Sequence, residues 1–312
     1  MKSMDHADYI FLLYSILLLF TFLNWIYEKI EDQKTRNLKN LTEEKEKQEA
    51  EKKEKISKET TQEKNEISKN YALLSVKRNG MELRILSEEL QNDKDIVTTA
   101  VQHNGLALKY ASKKLRNDKE VVMAAVQDDW EALEYASKEL KNDIHVVLEA
   151  IKQNGLALEY ASKELKNDED IVTIAVQHNG LALEYASKEL KNNEKIVMTA
   201  VQHNGLSLVY ASSELRNDFS IVYRSVKRNG IALQYASQKM QNDKKVVLAA
   251  VRQKGIALQF ASNELKNDKE IVIAAHKNNP SSLKYASDEL QNDYDFVESL
   301  RYNDVEHNYM DD

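Results

Sequence analysis

From residue 68 onward, apolar residues return in the same two clusters every 25 positions. In the stretch Asn167–Lys191 (NDEDIVTIAVQHNGLALEYASKELK), Ile171, Val172, Ala175 and Val176 recur at i, i+1, i+4 and i+5. Leu183, Ala186, Ser187 and Leu190 follow at i, i+3, i+4 and i+7. Both spacings are helical, and the alternation of a strand is absent. The pattern predicts two helices per unit, each of about ten residues, too short to be stable alone and so dependent on stacking against the next pair.

The polar punctuation agrees with this reading. Asn167 and Asp168 stand where an N-cap is needed, with Glu169 and Asp170 placing acid in the first turn. Gly180, after Asn179, suits the left-handed position that ends a helix. Its equivalents are Gly80, Gly105, Gly155, Gly205, Gly230 and Gly255, with Trp130 and Pro280 standing in the same place of two units. The predicted fold class is an all-α solenoid of nine two-helix, 25-residue repeats beginning at Ser68, with a tenth, capping helix near Asp293 to Arg301. The ends depart from the pattern, as caps do: Ile85-Leu86 replaces Tyr-Ala, and Leu300-Arg301 replaces Ala-Val.

Two other patterns precede the repeats. Tyr9–Tyr27 (YIFLLYSILLLFTFLNWIY) holds nineteen uncharged residues, enough for a transmembrane helix, with Tyr9, Trp25 and Tyr27 placed for an aromatic belt. A cleaved signal peptide is the rival, but Thr21–Tyr27 offers no small-residue cleavage site. Lys29, Lys34, Arg36 and Lys39 follow the segment and only Lys2 precedes it, which predicts a single-pass protein with cytosolic repeats. Residues 28–70 carry no sustained heptad, yet Glu43–Lys47, Glu49–Lys53, Glu51–Lys55 and Glu54–Lys58 are favourable i,i+4 pairs. A solvated helix and a disordered linker both fit there. The expected organisation is an anchor at 1–27, a charged spacer at 28–67, repeats at 68–301 and an acidic tail at 302–312.

Composition changes this picture little. One Pro and seven Gly in 312 residues leave few helix breakers, and the absence of Cys removes disulfides and thiolate metal sites. The net charge of −7 argues against a nucleic-acid partner, since the repeats taken together are nearly neutral.

The string N-G-x-A-L-x-Y-A-S-x-x-L-[KR]-N-D runs from Asn104 to Asp118, Asn154 to Asp168 and Asn204 to Asp218, the last with Ser207 for Ala. It resembles the DUF4116 repeat family over roughly residues 68–301. That resemblance implies a helical repeat without assigned activity or catalytic residues to transfer.

Chemistry is otherwise scarce. The serine column that includes Ser112, Ser187 and Ser287 has no base and acid recurring beside it, so small-residue packing explains it better than nucleophilic catalysis. The tyrosine column is interrupted by Phe260, which makes its hydroxyl dispensable there. His103, His178 and His203 share a column with Arg78, Asp128 and Gln253, unlike metal ligands, and no phosphate-loop or zinc spacing occurs. No catalytic, cofactor or metal residue is assigned. The expectation is a non-enzymatic, membrane-tethered scaffold that binds a protein or peptide through variable surface columns, the alternative being a self-associating spacer or coat. Trp130 is the sharpest candidate contact, followed by Phe219, Tyr223, Arg224, Glu149, Glu159 and Glu184.

Overall fold

The computed structural model describes residues 5–300, and Arg301 and the acidic segment 302–312 lie outside the described residues. Contacts divide the chain into two units at Ser68/Lys69. Among the described residues there is no strand.

Helix α1 (His6–Arg78) contains the apolar segment and the charged stretch 28–67, which is therefore helical throughout. Its apolar part is long and apolar enough to cross a membrane, and none of that window is buried. In the charged part, Glu54–Lys58 closes to 2.7 Å and Glu49–Lys53 to 3.6 Å, while Glu43 pairs back to Lys39 at 4.0 Å. Such exposed pairs contribute at most a few tenths of a kcal/mol each.

In the second unit the chain alternates ten-residue α-helices with short 3₁₀ segments. The helices are α2 (Lys94–His103), α3 (Lys119–Asp128), α4 (Ile144–Gln153), α5 (Glu169–His178), α6 (Glu194–His203) and α7 (Phe219–Arg228). A four-residue turn, α8 (Gln238–Gln241), then precedes α9 (Lys244–Gln253); α10 (Asn263–Lys266) precedes α11 (Lys269–Asn278), and α12 (Asp288–Asn292) follows. Residues 294–300 are helical again. The ten-residue helices start 25 residues apart, and each packs on its neighbour: α2 on α3, α3 on α4, and so on to α9 on α11. The 3₁₀ segments form a second layer in the same order, 105–110 on 130–135 and 180–185 on 205–210.

The first element of each unit forms for the reasons read from the pattern. Asp168 caps α5, its carboxylate accepting from the Ile171 N–H, and Ile171, Val172, Ala175 and Val176 are buried. The second element does not. A ten-residue helix was expected after Gly180, but Gly180–Tyr185 is a 3₁₀ helix that ends at Ala186, where the backbone turns extended. A separate turn, Leu190–Asn192, completes the unit. An i,i+3 apolar spacing such as Leu183 to Ala186 fits a period of three as well as 3.6. The break is fixed from outside the unit: the Ser187 N–H donates to the Lys166 carbonyl of the preceding unit at 2.9 Å. The same bond recurs from Ser112 to Gln91 and onward to Ser287 and Lys266.

The glycine reading is also corrected. No residue among those described has a positive φ, glycines included. What Gly180 and its equivalents provide is closeness. A Cβ on Gly205 would lie 2.5 Å from the Ser225 carbonyl oxygen, and each of the other six would collide with the matching carbonyl of the next helix.

Candidate functional site

Polar side chains at the unit boundaries are largely used to join one unit to the next. Ser112 Oγ accepts from the Leu115 N–H at 3.2 Å and donates to Asn92 Oδ1 of the preceding unit at 2.7 Å; Ser237 and Asn217 repeat that pair at 2.6 Å. This replaces the simpler reading of the serine column as small-residue packing. Asp118, the cap of α3, also receives Lys94 at 2.8 Å from the start of α2, and Lys69–Asp93, Lys119–Asp143, Lys244–Asp268 and Lys269–Asp293 repeat the bridge. Burial pulls the Asp118 carboxyl upward, but the Lys94 ammonium and the Val121 N–H outweigh it and hold the group below its ordinary value. Lys141 and Lys166 reach back to the carbonyls of Glu134 and Glu159 at 2.7 and 2.6 Å, and burial lowers both their pKa values.

The seven candidate contact residues fall in different places. Trp130 opens the 130–135 segment, is half-buried, and tilts against Tyr160 with ring centroids 6.1 Å apart. Glu149 lies on α4 and bridges Lys152 at 3.4 Å. Glu159 and Glu184 accept hydrogen bonds from Tyr185 and Tyr210; burial and then Glu159 push the Tyr185 hydroxyl up to about 12. Phe219, Tyr223 and Arg224 share α7. Phe219 and Tyr223 line a concave feature, and Arg224 is exposed beside it.

That feature is a groove of about 720 Å³ between α7 and α9. Phe219, Tyr223 and Lys227 form one wall at i, i+4 and i+8; Lys245, Leu248, Ala249 and Arg252 form the other. Phe219 and Tyr223 stack at 5.5 Å and 15°, and the Lys227 ammonium sits 5.7 Å from the Tyr223 ring centre. Phe219 stands 41% exposed in the column where Lys94, Lys119, Lys244 and Lys269 make their bridges to the next cap. An exposed aromatic thus stands in a column that elsewhere holds ion-pairing lysines or Ile144, Glu169 and Glu194. The basic lining was missed from sequence, although its signal was present: a column that mixes Lys77 and Lys152 with Gln102, Gln127, Gln177 and Gln202 turns basic in three successive helices at Lys227, Arg252 and Lys277. Between Phe219 and Gln253 the chain carries seven basic residues against one acid, Asp243, so the near-neutral sum over all repeats conceals a local cationic face.

Among the described residues no group of three or more His, Asp or Glu is arranged to hold a metal ion. Repeated helical units joined by the same hydrogen bonds define a tandem helical-repeat protein. Comparison with family profiles matches the domain of unknown function DUF4116 at residues 68–116, 94–141, 143–191, 193–241, 243–291 and 268–299, and the chain belongs to that family. Each of the five longer matches spans two recurrences of the 25-residue pattern. No curated protein and no solved structure matches the chain.

Proposed function

We propose that the protein is a membrane-tethered, non-enzymatic α-solenoid scaffold whose repeats engage a protein or peptide partner on the cytosolic side. The observation that carries the binding part is the α7–α9 groove, lined by an exposed aromatic and by cations that form no ion pair among the described residues. The tether rests on the uncharged helical stretch Tyr9–Tyr27, exposed apart from a half-buried Ile26, with the Lys29 ammonium 6.0 Å over the Trp25 ring at the end where basic residues begin. Alkaline extraction of membranes from cells expressing the full chain tests the tether, and protease protection of the same membranes tests the side. Release into the supernatant rules out a spanning helix; repeats protected in sealed vesicles reverse the orientation.

A second reading, a self-associating spacer or coat, draws on Tyr71, Leu74 and Ile85, large apolar side chains 61–71% exposed at the first repeat. Sedimentation of the detergent-solubilised chain across concentration separates the two. Oligomers that grow with concentration favour the coat, and a single species favours the scaffold.

A further inference from the structure

The groove between α7 and α9 specifies the chemistry of what it takes, and this inference rests on the scaffold reading. We infer that it binds an acidic peptide segment carrying an apolar side chain, laid across the helices in the direction of the stack.

Three observations support it. The groove presents Lys227, Lys245 and Arg252, and none of them forms an ion pair with a carboxylate among the described residues. By contrast, Lys244, one residue earlier, is committed to Asp268 and Glu270 at 2.7 and 2.8 Å. Unpaired cations on one face of a chain of net charge −7 attract a negative partner and suppress positive ones. Next, part of the lining is apolar. Leu248 and Ala249 line the groove across from Phe219, and apolar lining continues between α9 and α11 as Ile273 and Ala274, beside Lys277 and the Lys244-paired Glu270. An aliphatic or aromatic anchor gains from covering that surface. Lastly, the cations recur in one column, Lys227, Arg252 and Lys277, one per helix, which suits a partner running across successive helices.

The aromatic geometry favours a peptide over single-stranded nucleic acid, the other anionic polymer such a face could attract. Base-stacking sites need a free ring face. Here the mutual stack takes one face of Phe219 and one of Tyr223, and Lys227 lies over Tyr223, so that only the outer face of Phe219 is left for a base.

The test uses the full chain in detergent micelles and a fluorescein-labelled peptide of repeated Glu-Glu-Leu, read by fluorescence anisotropy. Binding should weaken with added salt and fall by about tenfold or more, a change of roughly 1.4 kcal/mol, in the double variant Lys227→Glu/Arg252→Glu. Phe219→Ser should weaken it separately, and Lys113→Glu, on a distant unit, should leave it unchanged. Circular dichroism of each variant checks that the helices persist; if the double variant loses them, Lys227→Gln/Arg252→Gln replaces it with a smaller loss expected. Equal binding of a Gln-Gln-Leu peptide, equal binding by the charge-reversed variant, or tighter binding of an oligo-dT of the same length overturns the inference. Cross-linking in cells keeps the two readings apart. A cellular peptide or protein partner that still cross-links to the charge-reversed variant leaves the scaffold standing and removes the groove from it.

Discussion

The Ser225 hydroxyl donates to the Gly205 carbonyl at 2.7 Å, while the Ser225 carbonyl occupies the space a Cβ on Gly205 would need, 2.5 Å away. Two units are therefore held at backbone contact by a glycine in one and a residue 20 positions later in the other. Gly205→Ala forces α7 away from the 205–210 segment and disturbs that buried hydrogen bond. The expected loss is about 1–3 kcal/mol, as for an overpacked core, measured by urea unfolding followed at 222 nm. An unchanged midpoint would contradict the close approach.

The serine column makes a second prediction that separates hydrogen bonding from packing. If Ser237 served only as a small residue, Ser237→Ala would be neutral. Its hydroxyl instead accepts from the Met240 N–H at 3.3 Å and donates to Asn217 at 2.6 Å. Removing a cap and a link between units together should cost about 1–2 kcal/mol. Asn217→Ala keeps the cap but loses the link, and should cost less by the same unfolding assay.

The first helices were legible because everything that makes them is local: Asp168 before α5, four apolar residues on one side, acids in the first turn. The second elements were not, because what ends them is distant. Nothing near Ser187 in the chain says that its N–H will leave for the Lys166 carbonyl. For the same reason Gly180 was assigned a left-handed turn, when the demand on it comes from the Ala200 carbonyl of the next helix. The groove was half legible. Phe219 and Tyr223 were legible as candidate aromatic contacts, whereas Lys227, Lys245 and Arg252 vanished into a charge summed over every repeat.

Acid should loosen the stack in a defined range. The carboxyls of Asp93, Asp118, Asp143 and Asp268 are each raised by burial but lowered more by a lysine of the preceding helix and by capped N–H groups, so all lie below their ordinary value. A carboxyl depressed in the folded state adds stability above its unfolded pKa of about 3.9, and that stability is lost as pH falls toward the folded pKa. The urea midpoint should accordingly be level from about pH 5 to 8 and drop below pH 4. Asp118→Asn keeps a capping oxygen, as Asn193 does naturally at the start of α6, but gives up the charge facing Lys94. Its deficit against the parent chain should be visible at pH 7 and close as the pH approaches 3; a gap that widens in acid would reverse the sign of the linkage.

Dependence on neighbours makes the last prediction one about register. Deleting residues 143–192 joins Asn142 to Asn193, so that α6 takes the position of α4, with Asn193 as its cap and Ser212 within reach of Asn142 in place of Asn192. The serine–asparagine link and the cap then have their partners again, and only the Lys119–Asp143 bridge loses its carboxylate to Asn193, so the shortened chain should keep its helical circular dichroism and unfold in one transition. The midpoint should fall, because fewer interfaces support each pair. Deleting residues 143–180 instead joins Asn142 to Leu181, presenting a 3₁₀ segment where a ten-residue helix must pack. That chain should lose much of its ellipticity or melt as two separate parts. Equal behaviour of the two deletions would mean that the 25-residue spacing of the links does not hold the stack together.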